Sequence, residues 1–191
     1  MPVRDVLQIG HPVLMAPADP VTPAKITSPE VQAWIRDLID TMRACNGAGI
    51  AANQIGIPYR LFVAEVTKNP RYPYKPPIPL TIVINPEIEF LSDATFTNNE
   101  GCLSVPNLRG DVERHLEIRL SGYDERGQRF ERDIRGYSAG TFQHEADHLD
   151  GILFPHRVAD PRTFSSWTVF AEFQQPAFAT RVQELVAQWG Q

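Results

Sequence analysis

Two histidines four residues apart bracket a glutamate in His144-Glu145-Ala146-Asp147-His148. On a helix, such positions stand one turn apart on the same face. Two imidazoles so placed can grip one metal ion. The glutamate, about 100° further round the helix, stands beside the open coordination position, where it can take a proton from water that the ion activates. A chance match to HExxH in a chain of this composition comes to roughly 1%, so two idle surface histidines are the weaker reading. A catalytic ion asks for three protein ligands, and the motif supplies two. The spacing continues as HExxHxxG to Gly151, but the next histidine position of that metalloprotease pattern holds Phe154, whose ring cannot ligate, and His156 comes too late. Glu172 is a candidate by its distance along the chain alone. The soft candidates are Cys102 and Cys45, since two histidines, one cysteine and a water make a sensible catalytic sphere. Cys102 follows the polar run Thr97-Asn98-Asn99 and suits an exposed turn or edge. Cys45, at the end of an amphipathic stretch, reads more simply as a small core residue.

These side chains need elements to hold them. The histidine pair requires a helix, which the pattern places at about Ser138 to Leu149, with Gly151 past its end. An earlier helix is expected from Pro29 to Cys45, capped by Ser28, with Val31, Ile35, Leu38, Ile39 and Met42 on one stripe. Asn46-Gly47 ends it. Leu61–Val66 and Thr81–Ile84 read as strands, and Val112–Tyr123 alternates as a third. The turn Asp124–Gly127 leads from it into a strand Gln128–Ile134, making a hairpin. After Pro176, Val182, Leu185, Val186 and Trp189 share one face of a last helix. Between the early strands lies Lys68–Leu80, with five prolines in thirteen residues, an expected loop that borders a site. Helices are too few to separate every strand. The expected fold is therefore α+β, with mostly antiparallel sheets around a central helix carrying HExxH and with an N-terminal and a C-terminal helix.

Composition narrows the class. The chain has 191 residues, 42% of them hydrophobic and 21% charged, which supports one folded domain over 1–191 and excludes a disordered chain. A net charge of −5, with no run of Lys and Arg longer than two, argues against a nucleic-acid partner. Two cysteines are too few for a disulfide scaffold and fit a reducing compartment. MPVRDVLQIG has no apolar core of a secretory signal, Asp5 argues against a transit peptide, and no window has the apolar length of a membrane span, so a cytoplasmic location is expected.

Three segments in order, GAGIAANQ (Gly47–Gln54), EGCLS (Glu100–Ser104) and QHEADHLDG (Gln143–Gly151), together resemble the peptide deformylase family. Ile50 stands where leucine is commoner, and the proline-rich segment is longer than in short bacterial members; the tail after Phe164 lies outside the motifs. The resemblance implies a hydrolase that removes formyl from the N-terminal formyl-methionine of new polypeptides. It implies Cys102, His144 and His148 as metal ligands and Glu145 as acid and base. Gln54 and the Leu103 N–H would steady the oxyanion. Gly49 would let a substrate peptide approach its backbone. Arg109 would lie near the substrate path, and Glu100 would orient a neighbour such as Arg109. Ala48, Tyr137, Gly140 and Thr141 would line an apolar methionine pocket. The resemblance also implies Fe²⁺ as the native ion, with Zn²⁺, Ni²⁺ or Co²⁺ able to replace it, although ligand softness alone favours Zn²⁺. The expected partners are nascent formyl-methionyl peptides at the ribosome, without nucleic-acid or membrane binding. A zinc endopeptidase and a module with a purely structural metal are the rival readings; Phe154 weighs against the first, and the lack of a fourth ligand in the motifs against the second.

Overall fold

The computed structural model describes residues 3–67 and 72–190. Ser28 Oγ accepts from Val31 N–H at 3.3 Å and starts the first helix, α1, which runs over Pro29–Ala44 and has Glu30 in its first turn. Its end is marked by Asn46 at positive φ and by Gly47 N–H on the Met42 carbonyl. Cys45 caps this helix and is half-buried, not a core residue as its composition suggested.

Among the described residues, seven strands follow in two sheets, and their pairings are all antiparallel. The larger sheet has the order β1-β2-β3-β6-β7, built from Gly49–Ala51, Leu61–Val66, Ile78–Phe90, Glu117–Tyr123 and Arg129–Arg135. The smaller pairs β4 (Thr95–Cys102) with β5 (Val105–His115). Strand β2 is apolar on both sides because both its faces are covered. Leu61 and Val63 pack with Val31, Ile35, Leu38 and Met42 of α1. Phe62 and Ala64 turn the other way, toward Tyr137, Phe142 and Leu149 of the second helix, α2 (Tyr137–Leu149). Helix α2 also touches β5 of the smaller sheet. After it the chain passes through α3 (Trp167–Val169) and a wide π turn (Phe170–Gln174) into α4 (Gln175–Trp189). Phe178 and Val182 of α4 are buried in the core that α2 shares with the larger sheet, and Leu185 and Val186 pack against it.

The strand expectations need three corrections. Val112–Tyr123 is not one strand. Residues through His115 pair with β4, and those from Glu117 pair with β3 and β7, so the chain changes sheets at Leu116. Alternation could not reveal this, because both halves bury the same parity of residue. Thr81–Ile84 is only the middle of β3. The proline-rich segment also ends earlier than its composition suggested: Ile78–Leu80 are strand, and Pro79 is tolerated where β3 pairs with β2 alone, before β6 joins at Ile84. Lys68–Arg71 of that segment lie outside the described residues. The hairpin about Asp124–Gly127 is present as β6–β7, with Asp124 Oδ1 accepting from Arg126 and Gln128 N–H and Gly127 at positive φ. Among the described residues, no helix is long and apolar enough to cross a membrane.

Candidate metal centre

Cys102 is the last residue of β4, and His144 and His148 rise from α2 one turn apart. Their ligand atoms all lie within 4.8 Å of one another. The Cys102 thiol is 3.3 Å from His148 Nε2. The sequence suggested an exposed turn or edge for Cys102; it does end β4 at the turn into β5, but it is buried, packed with Leu153 and Phe154. The two other ligand candidates fall away: Glu172 is exposed on the π turn, and Cys45, at the C-terminal cap of α1, is not among the clustered residues.

The histidines are held from behind. His144 Nδ1 lies 2.8 Å from Glu100 Oε2. A carboxylate only accepts, so Nδ1 donates and Nε2 is left for an ion. Burial pulls the His144 imidazole down, but Glu100, with Cys102, outweighs it and holds the ring well above its ordinary value. His148 is driven the other way by burial and by the charge of His144, which keeps it the neutral imidazole that a metal binds. The Asn53 amide donates to the His148 carbonyl and ties the helix to the turn after β1.

Glu100 was expected to orient a neighbour such as Arg109; the neighbours it holds are His144 and Arg114 instead. It receives Arg114 Nε at 2.7 Å and NH2 at 2.9 Å, the Asn98 amide at 3.0 Å and His144. Although burial alone would raise the Glu100 carboxyl, Arg114 and His144 hold it well below the usual range. The same Arg114 reaches Asp147 Oδ2 at 2.6 Å through NH1, and Arg157 closes on Asp147 from outside. A buried arginine thus bridges β4 and α2 directly behind the Cys102, His144 and His148 cluster. Sequence reasoning missed it, although its even spacing from Val112 and Leu116 marked it as inward-facing on a strand.

Glu145 is 4% exposed, and burial raises its carboxyl to about 7 against the pull of His144 and Lys75. Its Oε2 has no hydrogen-bond partner among the described residues. Gly49 was expected to admit a substrate backbone. What lies over it is Glu145: a Cβ at Gly49 would stand 2.3 Å from Oε1. Gln54, on the 3-10 turn Ala52–Ile55, accepts from Ala51 N–H with Oε1. Its Nε2 donates to Ser104 Oγ at 3.0 Å and lies 3.5 Å from Cys102 Sγ. The amide meant for an oxyanion therefore rests at the edge of the ligand cluster.

One cavity takes in Ala48, Gly49, Gln54, Glu100, Cys102, Leu103, Arg109, Tyr137, Gly140, Thr141, His144 and Glu145, and so gathers every expected site residue but the buried His148. Its character differs from the apolar pocket foreseen. Arg109 is neither a solvated loop charge nor free: it is 1% exposed, sandwiched between Trp167 and Phe170 and bonded to Asn99 and Tyr74. Lys75, from the proline-rich segment, reaches in as well, with Nζ 3.1 Å from Thr141 Oγ1. Nothing in the sequence marked Lys75, because a loop has no periodicity that fixes where its side chains point.

The cluster offers two imidazoles and a thiolate to one point, with a buried carboxyl and an amide alongside. That set suits hydrolysis of an amide or ester by activated water. Comparison with known proteins points the same way. The family model for polypeptide deformylase matches residues 3–164. The chain is 46% identical over 158 residues to peptide deformylase 2 of Ralstonia nicotianae, covering 83% of this chain and 88% of that one. It is also 46% identical over 162 residues to peptide deformylase 1 of Bordetella pertussis, covering 85% and 91%. Among solved structures, the peptide deformylase of Acinetobacter baumannii with Met-Ala-Ser bound matches with a TM-score of 0.79 at 36% identity, over 82% of this chain and 99% of that one. The Synechococcus elongatus enzyme in complex with actinonin matches with 0.75 at 30% identity, over 100% and 87%.

Proposed function

This chain belongs to the peptide deformylase family, whose members remove the formyl group from the N-terminal formyl-methionine of newly made polypeptides, and from that premise we propose how its own residues divide the reaction. Cys102, His144 and His148 hold one divalent ion, and their mutual distances support the assignment. Bound there, such an ion lowers the pKa of water and polarises a carbonyl oxygen. The family resemblance favours Fe²⁺ in that place. Helix α2 is the central carrier of the site, and residues 1–191 form one catalytic domain.

Glu145 is the general base. Its carboxyl, raised to about 7 and left with Oε2 unpartnered, is set to take a proton from the attacking water and pass it to the leaving amine. Water is consumed, the formyl C–N bond breaks, and formate and a free N-terminal amine are released. Gln54 Nε2 and the Leu103 N–H donate to the oxyanion as it forms; Gln54 needs only to exchange its contact with Cys102 Sγ for the substrate oxygen. Ala48, Gly49, Arg109, Tyr137, Gly140 and Thr141 surround the peptide, and Glu100 serves it indirectly by fixing His144. The Met-Ala-Ser peptide bound to the Acinetobacter baumannii relative supports a formyl-methionyl peptide as substrate here.

The observation that carries this reading is the convergence of the Cys/His₂ cluster, the buried Glu145 carboxyl and the Gln54 amide on one cavity. Glu145→Gln tests it. Metal content should stay at the wild-type level while formate release from formyl-Met-Ala-Ser falls at least about 10²-fold. Loss of the metal would instead make Glu145 a ligand, and full activity would remove it from the mechanism.

A further inference from the structure

The cavity beside the ligand cluster holds more hydrogen-bond donors than the structure can satisfy. Lys75 Nζ has three N–H groups; it gives one to Thr141 Oγ1 and faces the rings of Tyr72 and Tyr137 at 4.9 and 5.7 Å. Among the described residues, the buried Tyr137 hydroxyl has no hydrogen-bond partner, nor has Arg109 NH1. Tyr137 and Arg109 are only 2% and 1% exposed. Apart from Glu145, the lining offers one orphaned acceptor in return, Asn98 Oδ1. A purely hydrocarbon side chain entering here would cover these donors and leave them unpaired, which costs binding. A side chain with an acceptor would satisfy them.

We propose that Lys75 and Tyr137 make this pocket a reader of hydrogen-bond acceptors on the substrate's first side chain, so that the enzyme processes formyl-methionine sulfoxide peptides better than formyl-methionine peptides, and those better than formyl-norleucine ones. The inference rests on the deformylase reading and adds the side-chain chemistry that the pocket selects. Norleucine has methionine's length but no acceptor. The thioether sulfur is a weak acceptor. The sulfoxide adds one strongly polar oxygen near the same point of the chain. A neutral acceptor suits the pocket better than a carboxylate, because Glu145 and Glu100 already place negative charge near Lys75. Arg109 NH1 supplies the same kind of vacant donor at the Gly101 side of the cavity.

The test uses metal-loaded enzyme and three peptides, formyl-Met(O)-Ala-Ser, formyl-Met-Ala-Ser and formyl-Nle-Ala-Ser, together with their deformylated products in calorimetry. The expected kcat/KM order is sulfoxide, methionine, norleucine. The span should be at least about tenfold and carried mainly by KM, since the contacts form on binding. Lys75→Met, and separately Tyr137→Phe, should each narrow the span at least about threefold at unchanged metal content, and the product peptides should rank in the same order. A wild-type enzyme that takes norleucine as well as the sulfoxide, or variants that keep the full span, would overturn the proposal while leaving deformylation intact. If no formyl peptide were cleaved but the products still ranked sulfoxide first, the deformylase reading would fall and the pocket assignment would stand.

Discussion

Glu145 owes its position to a missing side chain. A Cβ on Gly49 would lie 2.3 Å from its Oε1, 2.6 Å from Cδ and 2.8 Å from Cγ, so the glutamate keeps its place only because β1 begins on a glycine. Gly49→Ala should therefore push the carboxylate aside without touching the ligands. Because a displacement of about 1 Å is enough to cost about 10²-fold in rate, turnover should fall by that order while metal stoichiometry stays at wild type. Assays of formate release and metal content on one preparation check this; unchanged turnover would mean that Glu145 has a second working position. Gly47 is less confined, since a Cβ there would come no nearer than 3.1 Å to the flexible end of Leu103.

At the scale of elements, the site is the place where a helix and a two-stranded sheet are riveted by buried charge. Arg114 of β5 binds Glu100 of β4 and Asp147 of α2, and Glu100 in turn holds His144. The side chains of Arg114 and Glu100 are each 3% exposed. Removing the arginine leaves Glu100 with His144 alone and Asp147 with only the partly exposed Arg157, and breaking a buried ion pair in this way costs about 3–5 kcal/mol. Arg114→Met should lower stability by that order in urea unfolding. It should also weaken metal affinity about 10–100-fold, because His144 loses its fixed orientation. Arg119, also on a strand, pairs with Asp133 on an open face, where solvent screens the pair; Arg119→Met should leave the urea midpoint close to that of wild type. Equal effects of the two substitutions would argue that the Arg114 bridge adds nothing beyond a surface pair.

For the whole molecule, the proposed ion would join the end of the smaller sheet to the helix that packs on the larger one, since Cys102 and the histidines come from those two elements. Metal binding and folding should then be coupled. With free metal at about 1,000 times its dissociation constant, linkage contributes about 4 kcal/mol, which for a chain of this size is about 8–16 °C in Tm. Stripping the metal with a chelator should lower Tm by that amount in wild type. Cys102→Ala should start low and respond little. An identical Tm with and without metal would mean that the ion does not bind the folded cluster in preference to the unfolded chain.

The sequence by itself determined the chemistry and the long elements. HExxH carries its own geometry, because helical periodicity puts His144 and His148 on one face wherever the helix lies. The capped, striped α1 and the β6–β7 hairpin were legible for the same reason: their signals are local. Cys102 could be named as a ligand only through resemblance, since the residues alone left Glu172 and Cys45 open. What tertiary structure decided was contact between distant segments. It broke Val112–Tyr123 between two sheets, a choice that depends on which strand lies alongside and not on the alternation both halves share. Glu100 went to Arg114 and His144, Gly49 was placed under Glu145, and Lys75 was brought into the cavity from a segment without periodicity. Spacing along a chain fixes which side chains share a face; only packing fixes what that face meets, and the polar character of this pocket comes from what it meets.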